Sequence, residues 1–192
     1  MATSSSLHKR RKLWKVLVPL LVILLCVITG LLLIQRGTRS LEQNPNVVIR
    51  QVDQVLPDFK LSQLSGETTL ISTFQAKVIL INFWATWCDA CMEEMPSIVH
   101  LRTDYKDRGF EAVGINVDEN PEVVVPKARN AFQINFPIYA DSEGRLSELF
   151  NVHAIPLTVI INHQRKILLI QDGGQNWNSP AIRSQLDRWL SQ

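Results

Sequence analysis

A chain of 192 residues has room for one domain and an appendage, and its net charge of +2 hides an uneven spread. Lys9, Arg10, Arg11, Lys12 and Lys15 crowd the amino terminus, whereas from residue 45 onward 13 Lys plus Arg face 17 Asp plus Glu, a balance of −4. The body is therefore mildly acidic, which gives no case for nucleic-acid binding, and three cysteines exclude a structural disulfide framework.

Residues 1–12 read as a basic tail. Leu13 to Ile34 is almost unbroken apolar sequence with Lys15 as its one charge. That suffices for a bilayer-spanning helix, which needs ~20 residues. The basic residues in or before its start outnumber Arg36 and Arg39 just after it, so the positive-inside bias places the amino terminus in the cytoplasm and the main domain outside. The apolar stretch exceeds the ~7–15 residues of a cleaved signal peptide, and no small-x-small site follows it. Residues 13–34 are thus expected to be an uncleaved single-pass anchor in the cytoplasmic membrane. Cys26, preceded by Leu25, is a small apolar residue within it. Residues 35–52, polar and containing Pro45, form a linker, and 53–192 the folded domain.

Phe59 to Leu61 and Thr68 to Ile71, separated by Ser65-Gly66, suggest a hairpin. Val78 to Phe83 reads as a buried central strand. Glu93 to Arg108 follows as a helix with Ile98, Leu101 and Tyr105 at helical spacing, Pro96 inside it and Gly109 closing it. Phe110 to Val117 is a second central strand. A helix starts at Asn120-Pro121, where Pro126 is a point of restart, and runs to about Phe132. Phe136 to Tyr139 is expected as an edge-type strand and Arg145 to Phe150 as a short helix. Leu157 to Ile161 and Lys166 to Gln171 form a hairpin, and Ser179-Pro180 caps a last helix with Ile182, Leu186, Trp189 and Leu190 on one face. Alternating strands and helices, then a hairpin and a closing helix, predict an α/β fold with a central mixed sheet flanked by helices on both faces.

Chemistry concentrates at Trp87-Cys88-Asp89-Ala90-Cys91, between the first central strand and its helix. Residues i and i+3 share a helix face, which brings two cysteines within disulfide reach. The helix amino end, with its free N–H groups and partial positive charge, favours a thiolate on the first of them. Half a zinc site or two buried thiols are the plain alternatives. Zinc wants four ligands, and the sequence holds no second Cys-x-x-Cys and no His-x-x-x-His. With no Lys, Arg or His between Trp87 and Val99, the local charges are Asp89, Glu93 and Glu94. Carboxylates near a thiolate destabilise it, which favours a reductant over a strong oxidant.

Phe83-Trp84-Ala85-Thr86-Trp87-Cys88-Asp89-Ala90-Cys91, then Glu94 and Pro96, then Ile155-Pro156-Leu157-Thr158, resemble the membrane-tethered thioredoxin-like proteins of the TlpA, ResA and CcmG type, from about Leu56 to the carboxyl terminus. Gly173-Gly174-Gln175-Asn176-Trp177 fits the same group, as does Asp118 to Phe136, which matches the family's insertion. The resemblance implies a thioredoxin-like fold and thiol-disulfide oxidoreductase activity with no dissociable cofactor and no metal. It implies Cys88 as the exposed attacking thiolate and Cys91 as the buried resolving thiol, the two forming a redox-active disulfide. It further implies Pro156 as a cis proline facing that disulfide, Ile155 as a backbone partner for an extended substrate, and Glu94 as the acid held near the site. Trp87 is expected to shape the docking surface and Trp84 to be core. Glu94 judged by spacing alone would be a solvated helix carboxylate. Asn82 stands where cytoplasmic thioredoxins have a buried aspartate, and Ala90 where proline is common.

The clients implied are cysteine-containing exported proteins, with apocytochrome c haem-attachment thiols or copper-site cysteines foremost, and the electron donor a CcdA- or DsbD-like membrane thiol carrier. The catalytic domain would then be extracytoplasmic, or periplasmic. Two rival functions stand beside this: a copper metallochaperone on a similar fold, using His153 as third ligand, and a membrane-bound disulfide-forming oxidase.

Overall fold

Seven strands form one mixed sheet in the computed structural model, which describes residues 54–192. They are β1 (Lys60–Gln63), β2 (Thr68–Leu70), β3 (Val78–Trp84), β4 (Phe110–Asn116), β5 (Ile138–Ala140), β6 (Leu157–Asn162) and β7 (Ile167–Asp172). The helices are α1 (Asp89–Tyr105), α2 (Pro121–Ala131), α3 (Arg145–Leu149) and α4 (Pro180–Leu190). The expected tail, anchor and linker lie outside the described residues; among those described, no helix is long and apolar enough to cross a membrane.

The apolar run at Val78 becomes β3 because every residue in it is buried, as befits a strand covered on both faces. Strand order is β2-β1-β5-β4-β3-β6-β7. β3 lies parallel to β4 and antiparallel to β6, so the carboxyl ends of β3 and β4 and the amino end of β6 meet at one end of the sheet. Alternation divides the core. Val78, Leu80 and Trp84 pack with Met95, Ile98 and Leu101 of α1, Val125 of α2 and Leu186 of α4. Ile79, Ile81 and Phe83 point the other way, towards Phe59, Leu61 and Leu146.

Three expectations need correction. α1 begins at Asp89, not Glu93, because Cys88 itself caps it: its Sγ accepts the backbone N–H of Cys91 at 3.2 Å. The strand expected over Phe136–Tyr139 is Ile138–Ala140, and it is internal, pairing parallel with β4 and antiparallel with β1. The segment expected as an insertion, Asp118 to Phe136, thus supplies α2, and the strand that follows it lodges between β1 and β4. Finally, α2 runs through Pro126 without a restart, because that residue lies in its second turn and on its exposed side. Pro96 does lie inside α1, and Gly109, at φ +95°, closes the turn after it as expected.

Register places a polar row in the core. Asn82 of β3 stands opposite Thr158 of β6, which stands opposite Gln171 of β7. On the other side of Asn82 is Gly114 of β4. A Cβ there would lie 2.9 Å from Nε1 of Trp84 and 3.2 Å from the Phe136 ring, so the fully buried Trp84 needs glycine as its neighbour.

Candidate active site

The turn from β3 into α1 holds the two cysteines. Cys88 and Cys91 are joined in a disulfide with Cα atoms 5.2 Å apart. Cys91 is fully buried on the inner face of α1. Cys88, expected to be exposed, is only 8% accessible, yet it is the outer sulfur of the pair. Its position at the helix cap explains both facts: the helix end faces outward, while the N–H of Cys91 aims at Sγ and draws it in. That donor and the helix dipole serve a thiolate on Cys88 once the disulfide opens.

Trp87 stands beside Cys88 with 69% of its surface exposed, the largest such fraction among the exposed large apolar residues described. Across the site the Ile155–Pro156 peptide bond is cis, with Pro156 buried and Ile155 half-buried. The backbone N–H of Gly173 donates to the Pro156 carbonyl at 2.9 Å and ties this loop to the end of β7. His153, in the same loop, is exposed. Among the described residues no group of three or more His, Cys, Asp or Glu side chains is placed to hold a metal ion.

Glu94 is not a solvated carboxylate; it is 3% exposed. The buried face of α1 runs Cys91, Glu94 and Met95, Ile98, Leu101, Tyr105, so an acid three residues after Cys91 must point inward. It meets three donors. Nδ2 of Asn82 reaches Oε1 at 2.7 Å, and Nε1 of Trp177 and the backbone N–H of Gln175 reach Oε2 at 3.0 and 3.2 Å. Burial penalises the charged form more than these bonds support it, and the pKa rises to about 7. Asn82 extends the network by donating to Oγ1 of Thr158 at 2.9 Å, while its own Oδ1 has no partner. Beside α1 lies a groove of about 580 Å³ lined by Glu94, Ala90, Ser97, His100 and the 174–176 turn among others.

A disulfide capping a helix, a cis proline on the neighbouring loop and a buried acid of raised pKa one turn past the inner cysteine together suit thiol-disulfide exchange. Known proteins agree. The sequence profile of the AhpC/TSA family matches residues 52–170. Thiol-disulfide oxidoreductase ResA of Oceanobacillus iheyensis is 35% identical over 129 residues, covering 65% of this chain and 67% of that protein. The chain belongs to the ResA-type thiol-disulfide oxidoreductases. Thioredoxin-like protein YneN of Bacillus subtilis is 34% identical over 138 residues, 71% of this chain and 81% of YneN. Among solved structures, one described as the thiol:disulfide interchange protein DsbE of Chlorobium tepidum superposes with a TM-score of 0.64 at 26% identity, covering 74% of this chain and 99% of that one. The fold is therefore thioredoxin-like and the chain an oxidoreductase of the ResA type.

Within that site the structure brings together Cys88, Cys91 and Glu94, with the Ile155–Pro156 bond in the cis form expected of it. It leaves His153 in solvent. Sequence reasoning missed the polar group around Glu94. Asn82 carried a signal, being a lone amide inside Val-Ile-Leu-Ile-Asn-Phe-Trp, where a buried polar residue must have a partner. Gln175 and Trp177 stood out only as part of a turn that fits the family, and a turn between β7 and α4 does not reveal which helix it touches.

Proposed function

We propose that this protein is a membrane-anchored, extracytoplasmic reductase of cysteine pairs in exported proteins. Glu94 carries the reading: a buried carboxyl on the same helix face as Cys91, with a pKa of about 7, can take up and release a proton at neutral pH. In the reduced protein, the Cys88 thiolate attacks one sulfur of a client disulfide. A Cys88–client mixed disulfide forms and the second client sulfur leaves as thiolate. Cys91 then gives its proton towards Glu94 and attacks Cys88 Sγ. The Cys88–Cys91 bond forms, the first client sulfur leaves, and two electrons have passed to the client. The thiol pair is restored by a membrane dithiol carrier of the CcdA or DsbD kind, which becomes oxidised in turn.

Direction follows from charge. Asp89 and Glu93 are exposed beside the pair and Glu94 is buried one turn past Cys91, with no cation from Trp87 to Val99. Such a site gives the Cys88 thiolate little support beyond the helix end, so its reduced form is a ready donor. The apolar run over residues 13–34 and the basic tail before it support the anchor and its orientation. The likeness of the Trp84–Cys91 and Ile155–Thr158 motifs to the TlpA, ResA and CcmG type supports clients among exported proteins, with cytochrome c maturation or copper-site assembly as the setting.

Equilibration with glutathione tests the direction. The Cys88–Cys91 couple is expected well below the potential of the oxidant DsbA, about −120 mV. A value close to that figure would make the protein an oxidase instead.

A further inference from the structure

The exchange face holds a second buried acid that takes no part in the proton relay. Asp118, two residues past the end of β4, is 6% exposed. Its Oδ2 accepts the backbone N–H of Thr86 at 2.9 Å and Nδ2 of Asn116 at 2.7 Å. Its Oδ1 accepts the hydroxyl of the same Thr86 at 2.9 Å. Thr86 is thereby gripped through backbone and side chain at once. The carboxylate is itself fixed: its backbone N–H donates to Oδ1 of the fully buried Asn116 at 3.2 Å, and the N–H of Val117 donates to the Trp84 carbonyl at 3.0 Å.

Thr86 lies between buried Ala85 and exposed Trp87. One turn bond, Cys88 N–H to the Ala85 carbonyl at 3.3 Å, carries the chain on to the disulfide. The Trp87 ring, mostly in solvent, does little to hold this loop. Cys88 is held from the α1 side by its disulfide and the Cys91 N–H, and the loop before it from below by the Thr86–Asp118 bonds.

We propose that Asp118 is a positioning residue for disulfide exchange: through Thr86 it holds the Trp87–Cys88 loop where Cys88 Sγ can line up with a disulfide in a docked protein. The inference rests on the exchange reading above. Exchange needs the attacking sulfur aligned with the bond it breaks, and small misplacements of a reacting group are costly. A small free disulfide can turn to find Cys88. A protein disulfide, held by its own contacts to the surface around Trp87 and Ile155, cannot. Loosening the loop therefore penalises large clients selectively.

The test uses the full chain, reduced and purified in detergent, with oxidation followed by tryptophan fluorescence against insulin and against 5,5′-dithiobis(2-nitrobenzoic acid). Thr86→Val removes the hydroxyl while keeping the shape; Thr86→Ser keeps the hydroxyl. Thr86→Val and Asp118→Asn are expected to lower the ratio of insulin rate to small-disulfide rate about tenfold, and Thr86→Ser to restore it to within about twofold of the parent. The equilibrium with glutathione should stay put in all three. An unchanged ratio in Thr86→Val, equal slowing with both oxidants, or a Thr86→Ser protein as impaired as Thr86→Val would overturn the proposal. If Asp118→Asn fails to fold, the Thr86 pair decides. A parent protein inert towards insulin would instead refute the exchange reading, and this inference with it.

Discussion

Replacing Glu94 by Gln should change how stability depends on pH, and the structure fixes the sign. The carboxyl titrates near 4.5 when solvated and at about 7 in the fold, with burial as the chief cause. A raised folded pKa means that the native state holds its proton where the unfolded chain has lost it. The contribution of Glu94 is then complete below pH 4.5, falls as pH climbs towards about 7, and is flat beyond. At about 1.4 kcal/mol per pKa unit the fall amounts to about 3 kcal/mol. Gln has no charge to bury. Its Oε1 can accept from Trp177 and Gln175, and its amide can donate to Asn82 once that side chain turns its unpartnered Oδ1 inward. Urea unfolding of the disulfide form, repeated from pH 4 to pH 8, gives both curves. The stability of the parent relative to Glu94→Gln should drop by about 3 kcal/mol between pH 4.5 and 7. Parallel curves would show that Glu94 is ordinary and that the relay has no acid at its centre.

Trp177→Phe removes one of the three donors that hold the Glu94 anion, so the pKa must climb further. Mixed-disulfide resolution by Cys91, measured by quenched-flow across pH, should shift its profile upward relative to the parent, and a downward or absent shift would count against the assignment. Gly114→Ala puts a methyl group 2.9 Å from the Trp84 indole nitrogen and 3.2 Å from Phe136. Overpacking of about 1–3 kcal/mol outweighs the ~0.4–1 kcal/mol gained from a stiffer unfolded chain. Thermal unfolding should therefore show a net loss, and a stabilised variant would mean that Trp84 has room to move.

Much of this molecule was legible because its signals are local. Val78 to Phe83 announced itself as a buried central strand, and the spacing of Ile98, Leu101 and Tyr105 gave α1 its buried side. The Cys-x-x-Cys pair needed only its position between the two. What could not be read depended on register and crossing. No local pattern says that β5 enters between β1 and β4 instead of closing an edge, since a strand of three residues carries too little alternation to show one covered face or two. The start of α1 was misplaced by four residues because Cys88 is an unusual cap, a sulfur standing in for the oxygen of Ser or Asp. Glu94 is the instructive case. By spacing alone it reads as a solvated helix carboxylate, and only the fold brings Asn82, Gln175 and Trp177 to meet it, from β3 and from a turn some eighty residues later.

Mass spectrometry of the protein mixed with oxidised insulin probes the core of the account most directly. The reduced Cys91→Ser chain should accumulate one covalent adduct through Cys88, stable because the resolving sulfur is gone, and the Cys88→Ser chain should accumulate none. An adduct of equal yield on Cys91 in the Cys88→Ser chain would mean that the inner sulfur is the nucleophile, and the order of events derived from the helix cap would be wrong.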